Sequence, residues 1–423
     1  MTVTDVWQRC KRIVLLLAMG SLLGTVGMTG ALAEGHRDGG RGHGHGHGGP
    51  SLGHVEEGPE GSSFWDTVPN EVEEGSEPGD IYWVQPRDDA PRGARGWNVI
   101  YVSEIAEGQL AYVSGEIYVP NARRGGEVPV VLWNHETAGN ADACAPSRRD
   151  HGSADFPRVP ALGELLEDGY AVVASDYPGL GLAGPAYYMA GEPNARASLD
   201  VVRAARSLPR LRLGDEVSMY GWSQGGQTTL WATQIARTYA PELDIRGSAM
   251  IGPATHIRDL TARSMTYDEF AGYVISTLPG IKAAYPELDY ADFLTVEGLT
   301  EFPSMAAGCW DIWSTGADLT DPYQPDAMAE GGPWWNAMTD AQDFDYATMS
   351  DVPFVVFQGL EDTTTPPEMT VRTRDDMCAA GVSVDYREMP GRDHGSGVPV
   401  AAEQLPGWFA DRFDGAPAES TCS

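Results

Sequence analysis

The chain has 423 residues, 61 of them acidic and 28 basic, and a formal net charge of −33 at pH 7. That length allows one large core, and that charge excludes a nucleic-acid-binding role because phosphates would be repelled. It also disfavours docking on anionic membranes. Lys11 and Lys282 are the only lysines, and arginine supplies the remaining positive charge. Such a surface fits solubility in high salt, or a composition bias of arginine over lysine. Neither bears on chemistry.

The N-terminus reads as an export signal. Arg9, Lys11 and Arg12 form a basic start, residues 13–28 are apolar, and Ala31-Leu32-Ala33 offers a small-residue cleavage site, placing the mature start near Glu34. The expected location is extracellular, with no stable membrane anchor. Cys10 falls in the signal, which leaves Cys144, Cys309, Cys378 and Cys422, an even set suited to two disulfides in an oxidising compartment. Four cysteines allow three pairings. Residues 35–54 alternate Gly and His and can bury no core, and the acidic, Pro/Gly-rich stretch to residue 79 reads as a linker. The histidines His36, His43, His45, His47 and His54 suit capture of a transition metal, but a tail offers no fixed geometry for catalysis.

From residue 80 strands and helices alternate. Residues 99–103 and 110–119 predict an opening pair of strands with a turn at Glu107-Gly108. Residues 128–133 form a continuous apolar run, as expected of a strand buried on both faces. There follow a helix over 159–168, a strand over 170–175, a helix over 194–208, a strand over 217–221, a helix over 224–239 and a strand over 245–251. Residues 255–350 break this rhythm, lack clear strands and carry Trp310, Trp313, Trp334 and Trp335. They predict an inserted helical cap with a small core of its own. The alternation resumes with a strand over 352–358, a helix over 367–380, a strand over 382–389 and a closing helix over 398–413. The fold class is α/β, with a mostly parallel sheet and helices on both faces. Residues 416–423 form a C-terminal tail.

The chemical signal is Gly221-Trp222-Ser223-Gln224-Gly225-Gly226, between an apolar strand and a helix. This is the pattern of a nucleophile elbow, in which small residues two before and two after let a serine occupy a strained, tight turn. The helix start and the Gln224 N–H then face a developing oxyanion. Serine needs a base. Outside the tail the histidines are His135, His151, His256 and His394, and the order serine, acid, histidine restricts the base to the last two. His394 lies in a loop between the last strand and the closing helix, where a triad histidine belongs. His256 precedes the cap and lacks that context. Asp362, in the loop after the strand at 352–358, is the expected acid, with Glu361 the near alternative and Asp393 too close along the chain to orient the ring. The second oxyanion N–H is expected from Glu136 or Thr137, in the loop after residues 128–133, with His135 bracing that loop.

These residues resemble the secretory lipase family, of the lipase A type, within the α/β-hydrolases. The resemblance spans roughly residues 80–415. It rests on Asn134-His135, on Cys144-Ala145-Pro146-Ser147, on Asp176-Tyr177-Pro178-Gly179-Leu180-Gly181, on Ala195-Arg196 with Leu199-Asp200, on Gly221–Gly226, and on the loops of Asp362 and His394. It implies an α/β-hydrolase fold with an inserted cap, hydrolysis of carboxylic esters such as acylglycerols, and an ester or lipid small-molecule substrate; the triad mechanism itself needs no metal or organic cofactor. It also implies that Cys144 pairs with Cys309 and Cys378 with Cys422. The chain departs from the pattern at His135-Glu136-Thr137, where bacterial members carry His-Gly-Thr, so that a carboxylate lies near a site that must stabilise an anion. Two other functions fit parts of the sequence: a secreted peptidase or amidase using the same triad, and a metal-binding surface protein built on the His-rich tail. A non-catalytic binding protein on this fold would not need Ser223, Asp362 and His394 together.

Overall fold

The computed structural model describes residues 55–121, 125–149, 159–208, 210–309 and 318–422. The export signal, the His-rich tail, His151, Trp310 and Trp313 lie outside them. The described strands are β1 (Ile81–Arg87), β2 (Ala94–Ala106), β3 (Gln109–Pro120), β4 (Val128–Asn134), β5 (Ala171–Ser175), β6 (Leu213–Trp222), β7 (Asp244–Ile251), β8 (Phe354–Gly359) and β9 (Val384–Met389). They form one sheet in the order β1-β2-β3-β5-β4-β6-β7-β8-β9. β1 to β3 run antiparallel to their neighbours, and from β5 to β9 every pairing is parallel.

The apolar runs occupy the middle. Val130, Val131 and Leu132 of β4, and Ala171, Val172 and Val173 of β5, have no solvent exposure, because helices cover both faces of a parallel sheet. One face packs on the helices α1 (Gly191–Arg206) and α2 (Gln224–Tyr239), through residues such as Leu199, Val202 and Trp231. The other packs on Leu162–Glu167 and on Leu405–Phe413, through Leu165, Leu405 and Phe409.

Three elements differ from the sequence expectation. Within the stretch read as a linker, Ser63–Asp66 is a short helix whose Phe64 and Trp65 are buried with Ile100, Val102 and Tyr112. β1 has only a short apolar run at 81–84 and contains Pro86, yet it pairs with β2 as the outermost strand. An edge strand tolerates proline because one side of its backbone needs no partner. The expected closing helix is two, Gly397–Ala402 and Leu405–Phe413. Pro406 lacks an N–H and its ring would clash with the carbonyl of residue 402, so the first helix ends there.

Between β7 and β8 the described helices are Ile257–Ser264, Ala271–Ala284, Val296–Ala306 and Pro333–Asp340. They share an apolar cluster that includes Ile275, Leu278, Phe293, Met305 and Trp334, and Met189 from the main body joins it. Trp334 is fully buried and donates its indole N–H to the Asp289 carbonyl at 3.0 Å. It is a core residue of this layer. Among the described residues no helix is long and apolar enough to cross a membrane.

Candidate active site

Parallel strands in register bring their carboxyl ends to one level. Asn134 of β4 lies beside Gly221 of β6, Trp222 beside Ile251 of β7, and Ile251 beside Phe357 of β8. Each expected site residue leaves the sheet just beyond this level: Glu136 and Thr137 after β4, Ser223 after β6, Asp362 after β8 and His394 after β9. Ligands of open α/β sheets bind at that edge.

Ser223 has φ 57° and ψ −117°, a conformation costly for any residue with a Cβ. The surrounding backbone holds it there. Its N–H donates to the Ile251 carbonyl at 3.0 Å, and its carbonyl accepts from Ala254 and Gly226 at 2.9 and 3.0 Å. The flanking glycines are required by contact. A Cβ on Gly221 would sit 2.0 Å from the Gly225 carbonyl oxygen, and one on Gly225 would sit 1.9 Å from the Asn134 carbonyl oxygen. The same close approach brings the loop after β4 against the first turn of α2. Asn134 locks the two together through a 2.9 Å hydrogen bond from its side-chain amide to Thr229. Gln224, buried at the start of α2, has an N–H that the helix itself cannot use.

His394 donates from Nδ1 to Oδ2 of Asp362 at 2.7 Å. The carboxylate is itself held: Oδ1 accepts from the N–H groups of Thr364 and Thr365 at 2.9 and 2.8 Å, and Oδ2 from the Thr365 hydroxyl at 2.8 Å. Asp362 is buried, so it has little freedom to turn away. Glu361 is exposed. Asp393, also exposed, bonds Ser396, and those hydrogen bonds hold its carboxyl below the usual range. His256 instead faces Thr373, with 3.2 Å between Nε2 and Oγ1. His135 is buried with its ring stacked 4.1 Å from that of Tyr177 and its nitrogens against the Glu136 and Asp176 carbonyls, and burial brings its pKa down to about 4.

Ser223, His394, Glu136 and Thr137 line one cavity, which the cap residue Tyr273 also reaches. Ser223 also opens into a second cavity, walled in part by the apolar side chains of Met189, Ala254, Ile257, Leu260, Phe270 and Val274. Three contributors escaped the sequence reading. Thr365 bridges Asp362, the Gly252 carbonyl at 3.0 Å and Nδ1 of His394 at 3.1 Å. Trp222 lies 5.3 Å, ring to ring, from His394, and Tyr273 arrives from the cap. The run of threonines after Asp362 was the available signal for the first, since an aspartate commonly accepts the N–H two residues on. Nothing local marks the other two.

The structure pairs Cys144 with Cys309 and Cys378 with Cys422. The first bond ties the loop after β4 to the end of the cap helix Val296–Ala306, where Asn140 also donates its N–H to Gly308 and its side-chain amide to Ser276. The second ties the C-terminal segment to the helix Pro367–Ala379.

The family model for secretory lipases matches residues 159–421, more than half of the chain. The chain belongs to the secretory lipase family. With that membership comes the reaction class, hydrolysis of carboxylic esters. Relatives within reach of sequence comparison include the secreted triacylglycerol lipase LIP4 of Malassezia globosa, 29% identical over 317 residues that cover 69% of this chain and 67% of that protein. Lipase 5 of Candida albicans is 26% identical over 317 residues, covering 68% and 65%. The fold matches Candida antarctica lipase A in its closed state with a TM-score of 0.69 at 20% identity, covering 82% of this chain and 84% of that one. It also matches a ligand-bound form of the rice cell wall degrading esterase LipA from Xanthomonas oryzae, with a TM-score of 0.64 at 19% identity, covering 81% and 100%. The fold of this secretory lipase family member is therefore that of an α/β-hydrolase.

Proposed function

We propose that the chain cleaves carboxylic esters with apolar acyl groups through an acyl-enzyme on Ser223, with His394 as base and Asp362 as its orienting acid. One observation carries this reading: a serine held in a strained turn at a helix start shares a cavity with a histidine whose far nitrogen is fixed on a buried carboxylate. The bond from Nδ1 to Asp362 leaves Nε2 as the acceptor for the Ser223 proton. Ser223 attacks the acyl carbon, and the oxyanion is received by the N–H of Gln224 with a second N–H from Glu136 or Thr137. His394 then protonates the departing alcohol, and water hydrolyses the acyl-enzyme by the same exchange of protons. The apolar cavity takes the acyl group. The cavity lined by Trp222, Thr363 and Thr364 takes the alcohol.

The substrate reading favours acylglycerols, in line with the names of the Malassezia relatives. Export follows from the N-terminal sequence and the two disulfides, with cleavage after Ala33. The test is hydrolysis of p-nitrophenyl esters from acetyl to palmitoyl by wild type and Ser223→Ala. Turnover is expected to depend on Ser223 and to be faster with butyryl or longer chains than with acetyl. Absence of turnover at every chain length, in low and high salt, would remove the ester reading.

A further inference from the structure

Glu136 lies in the cavity of Ser223 and His394 and is 6% exposed, and its Oε1 makes no hydrogen bond. A buried, unpartnered carboxyl oxygen is expensive, and more so when charged. Here it sits where the mechanism must accept a negative charge. We propose that Glu136 works as a neutral carboxylic acid during turnover and that its ionisation switches the site off, giving this enzyme a built-in upper pH limit. The inference rests on Ser223 being the nucleophile, since only an oxyanion beside Glu136 makes its charge matter.

The geometry supplies two reasons. An ionised Glu136 would place a second negative charge, itself buried, in the same cavity as the oxyanion, where repulsion is screened less than in water. The carboxyl also reaches its own backbone N–H, one of the two candidate oxyanion donors, and an anionic carboxylate would hold that donor more tightly. When protonated, the acid releases the N–H and adds an O–H donor.

The groups facing Glu136 leave it as the one that changes charge on the alkaline side. His135, on the same loop, is held neutral by burial, and Asp176 behind it is pushed up only to about 6. Tyr177 beneath and Tyr273 from the cap are both pushed well above the ordinary tyrosine value by burial, and both feel the Glu136 charge. Arg149 is the cation within range, and its pull does not outweigh burial, which drives Glu136 up to about 8. The His394–Asp362 pair faces it across the cavity.

The experiment is kcat/KM for p-nitrophenyl butyrate from pH 5 to 10, for wild type and Glu136→Gln, each profile normalised to its own value at pH 6. Wild type should lose activity above about pH 8, approaching tenfold per pH unit. The glutamine variant should stay level to at least one pH unit higher. The rate at which a fluorophosphonate labels Ser223 in wild type should fall over the same range, because that reaction also builds charge at the oxyanion site, and Glu136→Gly should abolish the fall. Coinciding alkaline limbs in wild type and variants would overturn the proposal, as would a Glu136→Gln protein with a native circular dichroism spectrum and no turnover at any pH. Turnover that survives Ser223→Ala would instead overturn the proposed function.

Discussion

At the scale of single residues, the weight of the site falls on Asp362. Its two oxygens collect hydrogen bonds from Thr364, Thr365 and His394. Each is an N–H or O–H that an amide side chain would meet with its own N–H at one of the two positions. Asp362→Asn should therefore turn the histidine to the wrong tautomer and lower kcat by roughly 10³–10⁴, with KM changed little and the melting temperature only modestly reduced. Steady-state kinetics with a soluble ester would measure the split. A fall confined to KM would show that Asp362 shapes the pocket and leaves the ring alone. The meeting of Ser223, Asp362 and His394 at one place was legible in the sequence because each sits in a short, punctuated loop: glycines around the serine, a threonine-rich turn after the aspartate, Pro390-Gly391 before the histidine. The state of Glu136 was not readable. The sequence placed a carboxylate in the loop after β4, but whether it is solvated or buried depends on tertiary packing, with residues as distant along the chain as Tyr273 lining the same cavity.

At the scale of elements, the strand–turn–helix from β6 to α2 is a steric construction. The carbonyl of Asn134 passes so close to Gly225 that no Cβ fits, and this closeness aims the β4 loop at Ser223. Gly225→Ala is expected to displace that loop by a distance comparable to a methyl group and to cost about 1–3 kcal/mol of stability, with activity lost more than tenfold. Thermal melting and ester turnover measured together check this. Full activity would mean that the close approach is dispensable. The parallel strands announced themselves by uninterrupted valines and leucines, as in Val130-Val131-Leu132. β1 did not, since its apolar residues 81–84 are too few to mark a strand by themselves and Pro86 argues against one. The break before Leu405 was missed for the opposite reason: apolar periodicity continues across it, and only Pro406 marks the stop.

At the scale of the whole molecule, the formal charge of −33 is large enough to matter for folding. Like charges repel in the compact state, and the Debye length shrinks from about 10 Å at 0.1 M salt to about 3 Å at 1 M. The melting temperature should rise by several degrees between 0.05 and 1 M sodium chloride, with no comparable rise in an uncharged osmolyte of equal osmolality. A flat response would mean that the acidic surface is already balanced locally, by pairs such as Arg203 with Asp200 and Glu242. The insertion between β7 and β8 was legible as a change of rhythm. Its tryptophans were less so. Trp334 suits a substrate wall or a core equally well on sequence, and only the packing of Phe293 and Met305 around it decides for the core.

The bond between Cys144 and Cys309 has a consequence in time as well as in space. It joins the loop after β4 to the cap layer, across 165 residues of chain. Until the two thiols oxidise, those parts are held together by the Asn140 contacts and by packing. Thiols stay reduced in the cytosol and oxidise outside it. The junction between the β4 loop and the cap is thus loosest before the chain meets an oxidising compartment.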